Sequence, residues 1–339
     1  MLWVKSYPKS LHGDKFSIME TQYHLPKIFS IDFWKIIFRG ASQVMFQENI
    51  WSGILIIIGI FWGSYATGFG SVAWGAVVGV IVSTITGYIL RLNSEDGDIG
   101  LWGYNGILVG CAMPTFLGNT LLMWLTLILF AAVSTWVLVG MNNVLKKCNV
   151  TAYTFPFVLL TIFVLLATRV MHGIPAPYLS VPELPGEFSS ELKMDILSLT
   201  QYWLKGVSQV FLVNSSITGI IFIFALFISN KWAAFWAAIS SAIALATAIL
   251  LECDSHYIAN GLFGFSPVLT GIAIGCTFYK VNWRSAIYAI IGVIVTVYIQ
   301  AAMDTVAAPW GLPTLTAPFC IATWLFMMPQ LKLNKETKI

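Results

Sequence analysis

The 339-residue chain is 58% hydrophobic and only 10% charged, with a formal net charge of +3, whereas an average soluble domain is about a quarter charged. That excludes a soluble fold and predicts an all-α integral membrane protein. The small net charge gives no reason to expect a nucleic-acid partner, and where the charges sit matters more than their sum.

Residues 1–30 carry Lys5, Lys9 and Lys15 without a continuous apolar stretch before residue 28. They are read as a cytoplasmic segment with no cleavable signal peptide. Residues 31–48 are apolar but too short and too interrupted by charge to cross a membrane. Five crossings of about 20 residues follow at 50–68, 71–90, 99–117, 119–141 and 150–170. An acidic linker, 171–195, holds Glu183, Glu187, Glu191 and Asp195 against Lys193. A second short apolar stretch, 196–211, precedes five more crossings at 212–229, 232–251, 257–279, 285–303 and 312–330, and residues 331–339 form a tail. Each short stretch is either an interfacial amphipathic helix or a re-entrant half-helix, which is permitted only where protein or a water-filled cavity satisfies its backbone.

Charge position predicts the topology. With Lys27, Lys35 and Arg39 on the cytoplasmic side, Arg91, Lys146, Lys147, Lys231, Lys280, Arg284, Lys332, Lys335 and Lys338 fall there as well. The positive-inside rule then places both termini in the cytoplasm and the linker outside.

An internal repeat divides the chain into 31–170 and 196–330. Gln43-Val44-Met45-Phe46 with Ser52-Gly53 matches Gln209-Val210-Phe211-Leu212 with Thr218-Gly219. Gly100-Leu101-Trp102-Gly103-Tyr104-Asn105-Gly106-Ile107-Leu108 matches Gly261-Leu262-Phe263-Gly264-Phe265-Ser266-Pro267-Val268-Leu269. Thr154-Phe155-Pro156-Phe157 matches Thr316-Ala317-Pro318-Phe319. Three ordered matches mark a duplication. An odd number of crossings per copy inverts the second relative to the first, which predicts a solute path between the copies where helices are interrupted.

A coupled carrier keeps ionisable groups within its spans, but Glu48, Glu95, Asp96, Asp98, Glu252, Asp254 and Asp304 all fall at span ends, where solvation is the simpler reading. No pair of carboxylates or nucleophile with a base lies within a span, which argues against an enzyme. Cys111, Cys148, Cys253, Cys276 and Cys320 have no metal-ligand spacing and are read as packing residues. A neutral solute is therefore expected. Gln43, Gln209, Thr154 and Thr316 offer uncharged donors and acceptors, beside Phe46, Tyr104, Phe265, Leu108 and Leu269. Such a slot suits a small planar molecule rich in N–H groups, such as urea. Taken singly, the aromatics could face lipid or neighbouring helices, and the glutamines could bond between helices.

Leu312-Pro313-Thr314-Leu315-Thr316-Ala317-Pro318-Phe319 resembles the signature of the urea transporters: Leu-Pro, two residues, Thr, one residue, Pro-Phe. The first copy keeps Thr154 and Pro156-Phe157 but lacks the leading Leu-Pro. The resemblance covers residues 31–330. It implies ten transmembrane helices with two re-entrant half-helices in inverted repeats, and a homotrimer in the inner (plasma) membrane with one pore per subunit. It also implies channel-like urea permeation without a cofactor. Gln43, Val44, Phe46, Tyr104 and Leu108 would form one urea slot, Gln209, Val210, Phe265 and Leu269 the other, with Thr154 and Thr316 between them. Leu212 at the position matching Phe46 departs from an aromatic slot, and Phe211 is a candidate to compensate. A channel for ammonia or another small amide, or an ion-coupled carrier, is the alternative.

Overall fold

The computed structural model describes residues 30–184 and 191–333, which form helices and loops with no strand among the described residues. Lys5, Lys9, Lys15, Lys27, Glu187, Lys335 and Lys338 lie outside them.

Helix α1 (Ile31–Gln43) starts where the Ser30 hydroxyl accepts the Phe33 N–H. It stops three residues before Phe46, whose φ is +61°. A bulky residue in this region costs about 1–2 kcal/mol, and the turn is held in compensation by the Ser42 hydroxyl donating to the Gln47 carbonyl at 2.8 Å. The chain reverses into α2 (Ile50–Ala66), capped by Asn49. A Cβ at Gly53 would collide with the Phe38 carbonyl, so only glycine lets α2 lie this close to α1. Next come α3 (Gly70–Ile89), α4 (Ser94–Asp98), α5 (Tyr104–Phe116), α6 (Leu121–Leu145) and α7 (Phe155–Ala167).

After the linker the same order of elements returns as α8 (Ile196–Ser208), α9 (Ser216–Ser229), α10 (Lys231–Leu250), α11 (Ser255–Ala259), α12 (Phe265–Ile272), α13 (Trp283–Ala307) and α14 (Ala317–Met327). Asp195 caps α8, and the Ser198 N–H and hydroxyl hold its carboxyl below the ordinary range. Backbone detail returns too. Left-handed residues occur at Phe46 and Leu212, Arg91 and Glu252, Gly100 and Gly261, Asn149 and Gly311, and Tyr153 and Leu315. A Cβ at Gly219 would meet the Leu204 carbonyl, as one at Gly53 would meet that of Phe38.

Among the described residues, four helical stretches are long and apolar enough to cross a membrane: Gly70–Ile89, Leu121–Cys148, Lys231–Leu250 and Trp283–Trp310. The pair Ile196–Phe211 and Ser216–Ser229, bent by 70°, makes a fifth if counted as one span. Other expected crossings are helical over only part of their length. The apolar stretch 150–170 is helical over the 13 residues of α7, about 20 Å against a hydrocarbon core of about 30 Å. Its opening residues run as non-helical chain through left-handed Tyr153 before Pro156 enters the first turn. The stretch 312–330 behaves likewise, with α14 starting after left-handed Leu315. The stretch 99–117 is broken by Gly100, and 257–279 by Gly261 and a π turn over Ala273–Thr277.

Loops gather at two faces. At one, the Arg39 guanidinium donates to the Asp98 carbonyl and Asn282 to the Leu333 carbonyl. At the other, the linker is tied down by Gly118 N–H to Pro175 C=O, Glu183 N–H to Ala308 C=O and Arg169 to the Trp310 carbonyl. Large apolar side chains such as Trp51, Leu129, Phe224 and Ile287 are exposed around the sides, which is the inside-out surface a bilayer would cover.

Candidate functional site

Two helices, one from each half, start inside the protein and face each other. Thr154 precedes α7 and Thr316 precedes α14. Neither hydroxyl caps its own helix. The two hydroxyls instead lie 2.6 Å apart, and Thr154 Oγ1 also lies 3.4 Å from Cys320 Sγ. Both threonines are 2% exposed. The positive ends of two helix dipoles therefore converge on one small polar spot, which is unfavourable for a cation and indifferent to a neutral molecule.

A cavity of about 390 Å³ lies on the linker side of this pair. Its wall includes Gln209, Val210, Leu212, Phe265, Leu315 and Thr316, so most of the second predicted slot and the central threonine share one space. Leu269 is buried but does not line it. Phe211 does not compensate for Leu212: it is fully buried against Phe222, with ring centroids 5.2 Å apart, while Leu212 faces the cavity. The left-handed conformation at Leu212 redirects the chain there, a turn that alternation of residue types does not reveal.

Beside the threonines the interior is filled with rings. Phe46 packs edge-on against Tyr153, Phe278 and Phe319 at 6.4, 5.7 and 6.0 Å, and Tyr153 meets Phe278 at 5.7 Å and Phe319 at 5.5 Å. Leu212, Leu315 and Phe157, which correspond across the halves to Phe46, Tyr153 and Phe319, line the open cavity. Two leucines thus stand where the first half has Phe46 and Tyr153, and the space they leave belongs to the cavity. Of the other predicted first-slot residues, Gln43, Val44, Tyr104 and Leu108 are all buried.

The glutamines do not meet across the halves. Gln43 Nε2 donates to the Ile99 carbonyl at 2.8 Å, and Gln209 Nε2 donates to the Asn260 carbonyl at 3.0 Å. Each bond ties the end of α1 or α8 to the loop just before the left-handed glycine, Gly100 or Gly261. That fixes the amide plane against backbone.

Asn105, quoted above only as part of a repeat, sets the start of α7. Its Nδ2 donates to the Tyr153 carbonyl at 3.2 Å and its Oδ1 accepts the Phe157 N–H at 3.0 Å, satisfying one of the helix's free amides. The Tyr104 hydroxyl donates to the same Tyr153 carbonyl at 2.7 Å. The signal for both was their place directly after Gly103 in the repeated glycine segment.

The sequence profile described as urea transporter matches residues 34–331. The chain belongs to the urea transporter family. It is 31% identical over 310 residues to urea transporter 1 of Ovis aries, covering 88% of this chain and 77% of that relative. It is 32% identical over 312 residues to urea transporter 1 of Capra hircus and 31% identical over 306 residues to that of Mus musculus, with the same coverage. Membership spans both threonine segments, both glutamines and both glycine-rich segments, and the family is one of transporters.

Proposed function

We propose that the chain conducts urea passively, down its gradient, through a pore between its two halves. The observation that carries this reading is the Thr154–Thr316 contact, 2.6 Å long, at the floor of a cavity lined by Gln209, Val210 and Phe265. A small neutral solute reaching that floor meets hydroxyls that can exchange their mutual bond for bonds to the solute, and the facing helix ends disfavour cations. Urea loses its hydration on entering and regains donors and acceptors along its edges. Each contact is weak enough to release.

In the proposed architecture residues 31–170 and 196–330 are inverted repeats, each with five transmembrane helices and one re-entrant half-helix, giving ten crossings. The matching order of α1–α7 and α8–α14 and the matching left-handed positions support it. Broken crossings such as α7 are tolerable because their non-helical portions are buried in protein or face the cavity. Gln43, Val44, Phe46, Tyr104 and Leu108 make the slot at one end, and Gln209, Val210, Phe265 and Leu269 that at the other. We place both termini in the cytoplasm, residues 171–195 outside, and a homotrimer of such subunits in the inner (plasma) membrane.

The test is urea efflux from proteoliposomes followed by stopped-flow light scattering, with and without an imposed proton or sodium gradient. Fast efflux indifferent to either gradient is expected. Urea accumulation that collapses with a gradient would overturn passive conduction.

A further inference from the structure

On the linker side of the cavity, α13 presents Gln300 and Asp304 one turn apart, facing Thr314 on the segment that leads to Thr316. Gln300 Nε2 donates to Thr314 Oγ1 at 2.7 Å and to both Asp304 carboxylate oxygens at 3.1 Å. The Thr314 hydroxyl donates to Asp304 Oδ1 at 2.8 Å. The donors of this cluster are thus used within it, and what remains is acceptors. Gln300 is 2% exposed, and its Oε1 has no hydrogen-bond partner among the described residues. A buried acceptor left unmade is unfavourable, and a donor-bearing ligand would relieve it. Gln300, Asp304 and Thr314 all line the cavity; among the described residues the other charged residue of the wall is Glu183, and no Lys or Arg lines it.

The scaffold does not require this cluster. At the corresponding place in the first half, α6 carries Leu138 and Asn142, and Asn142 Oδ1 simply accepts the Ala152 N–H at 2.8 Å. An anionic, acceptor-only pair set above the second slot is therefore an addition specific to one half. Solvation at a span end, the reading of Asp304 given by its sequence position, does not describe it.

We infer that Gln300 and Asp304 form a docking site for a small planar cation of the guanidinium class. Guanidinium has the shape of urea, carries N–H donors on every edge and has no acceptor to clash with this surface. Bound there, it stands over Gln209 and Thr316, while the converging helix ends at the threonine pair oppose its onward passage. Its action as a blocker rests on the urea-pore reading; its binding does not.

The two are tested separately. Purified full chain in detergent at pH 8 is titrated calorimetrically with millimolar guanidinium chloride against a sodium chloride control, and urea efflux from proteoliposomes is measured with and without the same salt. Saturable binding and reversible inhibition are expected. Asp304→Asn and Gln300→Leu, which copy the residue types of the first half and so suit the scaffold, are expected to raise the half-saturating concentration by about tenfold and about threefold, the larger effect following from loss of a charge-assisted bond. Absent saturable binding, or half-saturation unchanged in both variants, would overturn the site. Absent urea efflux in the unblocked protein would instead count against the pore reading, leaving the calorimetry to decide the site.

Discussion

Replacing Thr154 or Thr316 by valine keeps the shape of the side chain and removes the hydroxyl at the point where the two halves touch. If urea crosses there, it exchanges the 2.6 Å hydroxyl–hydroxyl bond for bonds of its own, and each variant deletes one partner at the narrowest polar point. A net hydrogen bond is worth about 1 kcal/mol, so the barrier rises by about that much and urea flux falls roughly fivefold. The two losses share one bond and will not add in the double variant. Stability should split differently. In Thr316→Val the remaining Thr154 hydroxyl keeps its 3.4 Å contact with Cys320 Sγ, whereas Thr154→Val removes the partner of a buried Thr316. Thr154→Val is therefore the less stable variant, by about 1 kcal/mol. Stopped-flow urea efflux reads the first effect and thermal unfolding in detergent the second. Unchanged flux in both single variants would refute a path between the threonines.

Gln43→Ala removes the tie to the Ile99 carbonyl and should lower urea flux several-fold while the protein still purifies as a folded oligomer; normal flux would remove this residue from the pore. Phe46→Leu combined with Tyr153→Leu copies Leu212 and Leu315, so it should open the four-ring cluster, raise urea flux and admit thiourea; an unchanged selectivity series would place the narrow point elsewhere. Gly53→Ala drives a Cβ into the Phe38 carbonyl and should lower stability by more than about 2 kcal/mol, read as a fall in the unfolding temperature. Asn105→Leu leaves the Phe157 N–H without its buried partner, while the Tyr153 carbonyl keeps the bond from the Tyr104 hydroxyl, with a loss of about 1–3 kcal/mol by the same measurement.

Long apolar runs located α3, α6, α10 and α13 because in these helices hydrophobicity and helicity coincide. The paired Gln-Val motifs marked the duplication without placing a helix end; in the structure each glutamine closes the end of α1 or α8 against a loop. Where helices begin within an apolar run was harder to read. Val150 to Ala167 is continuous in hydropathy, and only left-handed Tyr153 and the Pro156 that follows it divide chain from helix. Pro156 signalled an interruption without giving its depth. Asp304 escaped for another reason: its environment is made by Gln300 one turn back and by Thr314 on a separate segment, so its distance from the end of a hydrophobic run says nothing about its partners.

The halves share a backbone and differ in what hangs on it. Both place a left-handed residue after the helix, α1 or α8, that opens the half, and another before the threonine. In the first half those residues are Phe46 and Tyr153, whose rings close on Phe278 and Phe319; in the second they are Leu212 and Leu315, which leave a cavity. An uneven pore of this kind cannot drive net movement, because a passive path gives the same equilibrium concentrations from either side whatever its shape. Unevenness decides instead where the barrier lies and from which face it can be reached. On the proposed path, urea arriving from the linker face would reach the threonines with little rearrangement, while urea arriving from the opposite face would first have to part four rings packed edge-on or tilted against one another. Aromatic substitutions should therefore act chiefly on the height of the barrier, and acceptor substitutions in the cavity chiefly on what can wait in front of it.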